Sequence, residues 1–414
     1  MSTTIEVFND ASGVSVPVGR AYFTRSHLGV STTFTYEPSY LAAGGPNIDP
    51  RLALVAGPQH STGLLPAFAD CAPDRWGRNL LLKAERARAL EDGRRARDLD
   101  DVDFLLGVTD EARQGSLRFR ELGEAAFASQ HGNVPTLIAL PALLEAARQV
   151  ATDPDPWAAA KALLDTGTAG LGGARPKASV RLKDGALGLA KFSHPGDEWD
   201  VMAWEATALD LLSAVGIPVP DHHLVRIGGS SVLVLRRFDR APATQHRIGY
   251  ISSMTASGLR DGQSADYTDI ADALRDLSDD LPRDHRDLFS RVVASVALRN
   301  TDDHLRNHGL LSIRNQWRLS PAFDVNPNPD SAKARSTSIA GAVSADDEIE
   351  GLLALAPRCG LTGTEARQRM SETALAMRGW AEQAAGNGMP PGEISRMRDA
   401  ITPGLDALAS AGSG

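Results

Sequence analysis

The stretch from 292 to 325 constrains this chain most. An apolar, helix-like run at 292–298 gives way to NTDDHLRN at 300–307, a segment rich in side chains that cap and turn rather than pack. Two short apolar segments, 310–313 and 317–320, flank Arg314, Asn315 and Gln316 and predict a β-hairpin. The chain then reaches Phe323, Asp324 and Val325. A helix, a polar loop, a hairpin and a second acidic turn, in that order, predict that the oxygens of Asp302, Asn307 and Asp324 converge.

Taken singly, these residues are ordinary. An Asp or Asn in a loop is most often an Asx turn, and Asp324 after Ser320 and Pro321 is most simply a cap. The combination weighs the other way, because Asp302 and Asn307 stand in the D-x-x-x-x-N relation of a protein-kinase catalytic loop. In such a loop the carboxylate orients the attacking hydroxyl, and the amide oxygen meets a magnesium ion. Asp324 then falls where a second metal-binding carboxylate follows a short hairpin. Mg²⁺ favours a few hard oxygen ligands shared with substrate phosphates, so one amide and one carboxylate suffice. His304 fits a structural or nucleotide-contacting role better than a metal ligand, and Arg306 reads equally as a phosphate-neutralising or a solvated side chain.

Upstream, TGTAGLGGA at 166–174 lets backbone N–H groups approach phosphate without Cβ hindrance, although it is also what a flexible turn looks like. No G-K-[ST] closes it, so it is not a Walker loop, but Lys177 follows closely. Lys191 ends the predicted strand LGLAKF at 187–192, where a lysine would reach nucleotide phosphates. Glu205 on the next predicted helix is its expected ion-pair partner, with Glu198 competing.

Composition bounds the class. A length of 414 residues exceeds what one core usually supports and predicts two or three subdomains. The formal charge of −9 argues against a surface that coats nucleic acid. Cys71 and Cys359 lie too far apart in sequence for a zinc or disulfide framework and are expected as reduced thiols. The opening MSTTIEVFND has no basic-then-apolar export signal, and no apolar run approaches a membrane span, so a cytoplasmic protein is expected.

Strands and turns are predicted over 1–60, including TFTY at 33–36 and LALVA at 52–56, followed by helices at 76–97 and 137–151. DPDP at 153–156 marks a boundary. Antiparallel strands are predicted around 178–192, a helix at 199–215, and a strand pair around Gly228 and Gly229. Beyond Asp239 the chain reads as mostly helical, apart from one hairpin near 309–320.

GGARPKA (172–178), LAKF (189–192), RRFDR (236–240), NTDDHLRNHGLL (300–311) and LSPAFDV (319–325) together resemble the HipA-type serine/threonine kinases. LLPAFADCAPDRWGR (64–78) and DFLLGVTDEARQGSLRF (103–119) resemble that family's N-terminal subdomain. The resemblance implies an α+β, bilobed protein-kinase-like fold with an added N-terminal α+β subdomain (1–155), a kinase N-lobe (156–240) and a mostly helical C-lobe (241–414). It implies Asp302 as the catalytic residue and Asn307 and Asp324 as metal ligands. Nucleotide contacts would fall on Gly172, Gly173, Ala174, Arg175, Pro176, Lys177 and Lys191, and on a hinge of Arg236, Arg237 and Phe238. Further contacts would fall on His304, Leu305, Arg306, Asn307, Phe323 and Asp324.

ATP and Mg²⁺ are the implied cofactors. The implied partners are a protein substrate in the translation machinery, such as an aminoacyl-tRNA synthetase, and a helix-turn-helix antitoxin through which DNA is met only indirectly. One departure stands out: Gly170 occupies the place of a serine that family members autophosphorylate. A small-molecule kinase, and a catalytically silent module that recruits a DNA-binding partner, are the alternative readings.

Overall fold

The computed structural model describes residues 2–11, 13–27, 29–129, 134–153, 156–166, 173 and 175–412, with the backbone alone at Ser2. The chain divides into two compact units, the first comprising 1–196 and 234–251 and the second 197–233 and 252–414.

The first unit is built on a five-stranded sheet in the order Gln59–Thr62, Gly29–Tyr36, Val16–Ser26, Ser2–Asn9, Leu117–Glu121, antiparallel throughout. The period-2 alternation of Val16–Ser26 places Ala21 and Phe23 inside, and its register sets Ala21 opposite both Ile5 and Phe34. Phe68, from a short helix, packs edge-on against Phe34 and Phe119 across that face. The basic run becomes the helix Arg75–Glu91, and Asp100 and Asp103 form a capping box at the head of Asp101–Gly107. Two expectations fail. The apolar run at 52–56 is a loop with Leu54 and Val55 exposed, because no neighbouring strand pairs with it. A strand, Gly249–Ser252, interrupts the region expected to be helical.

Also in the first unit, Lys177–Arg181 and Leu187–Phe192 form an antiparallel hairpin, and the Arg237 N–H donates to the Leu187 carbonyl beside it. The RRFDR segment that follows is organised around Asp239. Its buried carboxylate accepts from Arg237, from Arg240 at 2.9 Å and from the Gly115 N–H at 2.9 Å. Arg237 also donates to the Ala112 carbonyl, and Arg240 to those of Glu111 and Arg113. Two segments more than a hundred residues apart, 111–115 and 237–240, are thereby tied together.

The second unit is mostly helical. The helix Val201–Ala214 is buried on nearly all sides, and Trp204 packs against Trp380. Leu281–Ala297 packs against Gly363–Ala376 and Pro391–Gly412. A Cβ on Gly404 would stand 2.8 Å from the Val296 carbonyl oxygen, so only glycine lets the last helix cross there. The hairpin appears as Gly309–Ile313 and Gln316–Leu319, and Ala265–Asp266 pairs in parallel with Thr337–Ser338, a contact no local pattern foretold. Among the described residues no helix is long and apolar enough to cross a membrane.

Removing one member of a buried charge cluster strands the others. Asp239→Ala is therefore expected to cost about 3–5 kcal/mol of unfolding free energy in urea titration. Burial alone would raise the Asp239 pKa, but Arg237 and Arg240 more than offset it and hold the carboxyl below its usual range. The stabilisation is accordingly full above roughly pH 4 and declines as the pH falls through the lowered folded value. Asp239→Ala should lose that acid-side dependence.

Candidate functional site

The predicted catalytic loop leaves the helix Leu281–Ala297 through a tight left-handed exit. The Arg299 N–H donates to the Val296 carbonyl and the Asn300 N–H to that of Ser295, a Schellman pattern with Arg299 at φ 54°. An arginine in this conformation costs on the order of 1–2 kcal/mol. Its side chain offsets that cost, since it donates to Glu348 at 3.0 Å and to the carbonyls of Ser331 and Lys333. Arg335 binds the same Glu348 oxygen and donates to Ser295 Oγ and the Asn300 carbonyl. Both arginines and Glu348 are buried.

Beyond this exit the loop alternates in and out. Thr301, Asp303 and Leu305 are buried, whereas Asp302 and His304 are exposed. Thr301 accepts from the Ser336 N–H and from Asn328 Nδ2. Asp302 Oδ1 lies 3.5 Å from Ser336 Oγ. Leu305–Asn307 form a 3₁₀ turn in which the Asn307 N–H donates to the His304 carbonyl. Asn307 Nδ2 donates to the Asp302 carbonyl at 3.4 Å, which reserves the amide oxygen for another partner. Arg306 pairs with Asp261 at 2.8 Å, so its charge is already engaged by an acid the sequence did not single out.

Asp324 adopts φ 58°, a conformation an Asp tolerates better than most residues, with Asn326 Nδ2 donating to its carbonyl and to Oδ1. The Ala322 N–H donates to the Pro218 carbonyl, and Phe323 and Asn307 line one cavity. Asn307 and Asp324 offer an amide and a carboxylate oxygen, the hard donors that suit Mg²⁺. Among the described residues no group of three or more His, Cys, Asp or Glu side chains could hold a metal.

Sequence reasoning passed over Asp303. It accepts from the Tyr267 hydroxyl at 2.6 Å and from His308 Nε2 at 3.0 Å, fully inside. Burial would raise its pKa, but His308 and Tyr267 more than offset this and lower it. Two adjacent aspartates thus take opposite roles, and the only local hint was His308 five residues on.

In the first unit, the cross-strand register pairs Lys177 with Lys191, both buried. Directly paired residues of a hairpin share a face, so two positive charges are concentrated there. The Pro176 carbonyl accepts from the Phe192 N–H, which ties the segment preceding Lys177 to the strand bearing Lys191. Gly173 has φ 98° and donates its N–H to Asp74 Oδ2 at 2.5 Å. Arg175 is half-buried, while Gly172 and Ala174 lie outside the described residues, as do Gly167, Thr168 and Gly170. Of the expected hinge, Arg236 pairs with Asp184 at 2.6 Å, and the Arg237 guanidinium is committed to Asp239 and Ala112. Phe238 packs near Tyr250. Any contact of Arg237 with a ligand therefore falls to its backbone. Glu205 is buried in the second unit rather than on a solvated helix face.

Comparison with known proteins now gives this geometry its class. Residues 169–381 match the HipA-like C-terminal domain, and residues 15–112 match the HipA N-terminal domain. A HipA of Shewanella oneidensis MR-1, solved with HipB and its operator DNA, superposes over 99% of this chain and 96% of its own, with TM-score 0.60 and 13% identity. The Helicobacter pylori proinflammatory kinase CtkA aligns with 57% of this chain and 94% of its own, at TM-score 0.37 and 15% identity. A Haemophilus influenzae protein named as a candidate kinase is 26% identical over 143 residues, 30% of this chain and 42% of that relative's length. The fold is α+β and kinase-like. The chain belongs to the HipA family.

Asp303→Ala would leave Tyr267 and His308 buried without their common acceptor, and about 3 kcal/mol of lost stability is expected on chemical denaturation. A second expectation concerns Arg291 Nη1, Asn300 Oδ1 and His308 Nδ1, three buried atoms without hydrogen-bond partners whose residues line one cavity of about 20 Å³. That is room for one water, which would accept from Arg291 and donate to the other two. A crystal structure should show a single water within hydrogen-bond reach of all three, and direct pairing between any two of them would contradict this.

Proposed function

We propose that this chain is a serine/threonine protein kinase that transfers the ATP γ-phosphoryl group to a protein hydroxyl with the help of Mg²⁺. The observation that carries the reading is the loop itself. Asp302 is exposed while its neighbours are locked inside, and Asn307 spends its amide N–H on the Asp302 carbonyl, so its oxygen can serve as a ligand. Asp302 would orient the substrate hydroxyl and accept its proton, and Asn307 and Asp324 would hold the metal. Bound Mg²⁺ would neutralise charge on the transferring phosphoryl group. Lys177, Lys191 and the backbone from Gly172 to Pro176 would hold the nucleotide phosphates, and the backbone at Arg236, Arg237 and Phe238 would serve as hinge. Catalysis of this kind rests on positioning and electrostatics, which suits a loop fixed by so many buried contacts.

Family membership supports a toxin role beside a helix-turn-helix antitoxin, as does the Shewanella relative having been solved with HipB and operator DNA. On this reading DNA is met through that partner, and the substrate belongs to the translation machinery, an aminoacyl-tRNA synthetase being the type expected. On the same reading the chain comprises an N-terminal subdomain at 1–155, a kinase N-lobe at 156–240 and a C-lobe at 241–414.

Incubation of the full chain with radiolabelled ATP and cell lysate tests this. Asp302→Ala and Asp324→Asn, the latter chosen because asparagine keeps the left-handed backbone at 324, should each reduce protein labelling by at least about 100-fold while leaving the unfolding midpoint near that of the unmodified chain. Undiminished labelling in either variant would refute the role given to that residue, and label appearing only in small molecules would redirect the substrate class.

A further inference from the structure

The helix Arg75–Glu91 begins in an unusual way. Asp74 occupies its N-cap position with extended backbone, yet its side chain makes no capping hydrogen bond to its own helix. An N-cap aspartate ordinarily accepts from the second or third helical N–H. Here Oδ2 instead accepts from the Gly173 N–H at 2.5 Å, ninety-nine residues away in sequence. The return contact is also made, because the Trp76 N–H donates to the Gly173 carbonyl at 3.4 Å. One of the helix's orphan donors is thus satisfied by the glycine stretch rather than by the cap.

Gly173 can accept this two-point grip because of its φ of 98°, which an L side chain would resist. Three residues later the Pro176 carbonyl is fixed by the Phe192 N–H, and Lys177 and Lys191 face each other in register just beyond. Gly173 and Pro176 are therefore each anchored, Gly173 on the N-terminal helix and Pro176 on the lysine-bearing hairpin. The helix start is itself braced, since Arg78 Nε donates to the Pro73 carbonyl at 3.1 Å and Nη1 pairs with Asp101 at 2.9 Å.

We infer that Asp74 is a positioning residue for the nucleotide site: it fixes where Gly173 lies relative to Lys177 and Lys191, and so makes the N-terminal subdomain part of the phosphate-binding apparatus. This rests on the ATP-binding reading above, and the test separates the two. The full chain is compared as unmodified protein, Asp74→Ala and Asp74→Asn. Without nucleotide, amide hydrogen exchange at Gly173 should quicken about tenfold or more in Asp74→Ala and stay near its original rate in Asp74→Asn, whose amide oxygen can still accept. With MgATP, Asp74→Ala should raise KM for ATP about tenfold with kcat changed less than about threefold, and Asp74→Asn should restore most of the loss. Unchanged Gly173 exchange in Asp74→Ala would overturn the inference, as would equal KM values in all three proteins. Faster exchange at Gly173 in a protein whose unmodified form binds no ATP would leave the clamp standing and remove the kinase reading instead.

Discussion

Glu348 is the contact on which the candidate site depends. It is a buried carboxylate shared by Arg299 and Arg335, and such a centre is costly to desolvate unless every partner is in place. Both arginines also reach backbone carbonyls, Arg299 at Ser331 and Lys333, and Arg335 at Ser295 and Asn300. The helix end, the loop after it and the 331–335 segment are consequently fixed as one piece. This lets a non-glycine residue hold a left-handed exit, and it sets the phase of the in-and-out alternation that leaves Asp302 facing outward.

The first unit uses the same device. Asp239 gathers two guanidiniums and a backbone N–H, and each guanidinium continues to carbonyls of the 111–113 turn. Arginine suits such centres because its planar fork can satisfy a carboxylate and a carbonyl together. A charged residue that looks like a ligand-binding group in the sequence is thereby held within the fold, as the buried Arg237 is by Asp239. Arg306 is engaged less firmly, through an ion pair with the exposed Asp261.

The local grammar of the chain was largely legible. The catalytic-loop spacing, the hairpin at 309–319, the strands around Lys177 and Lys191 and the helix at Val201–Ala214 follow from period, turn residues and stop signals, which are short-range properties. The motifs resembling HipA were legible for the same reason, since each is contiguous. Less could be read where a segment's partner is distant: the apolar run at 52–56 reads as a strand but finds no strand to pair with, and Gly249–Ser252 does the reverse.

By itself the sequence determined which residues carry oxygen and charge, in what order, and on which kind of local element they sit. Tertiary structure alone decided between neighbours of equal chemistry. Asp302 stays outside whereas Asp303 is drawn in by Tyr267 and His308, and Asp74 leaves its own helix to hold Gly173. The reason is that a carboxylate's role is set by the donors that surround it after folding, and those donors come from positions tens to a hundred residues away, beyond the reach of any local pattern.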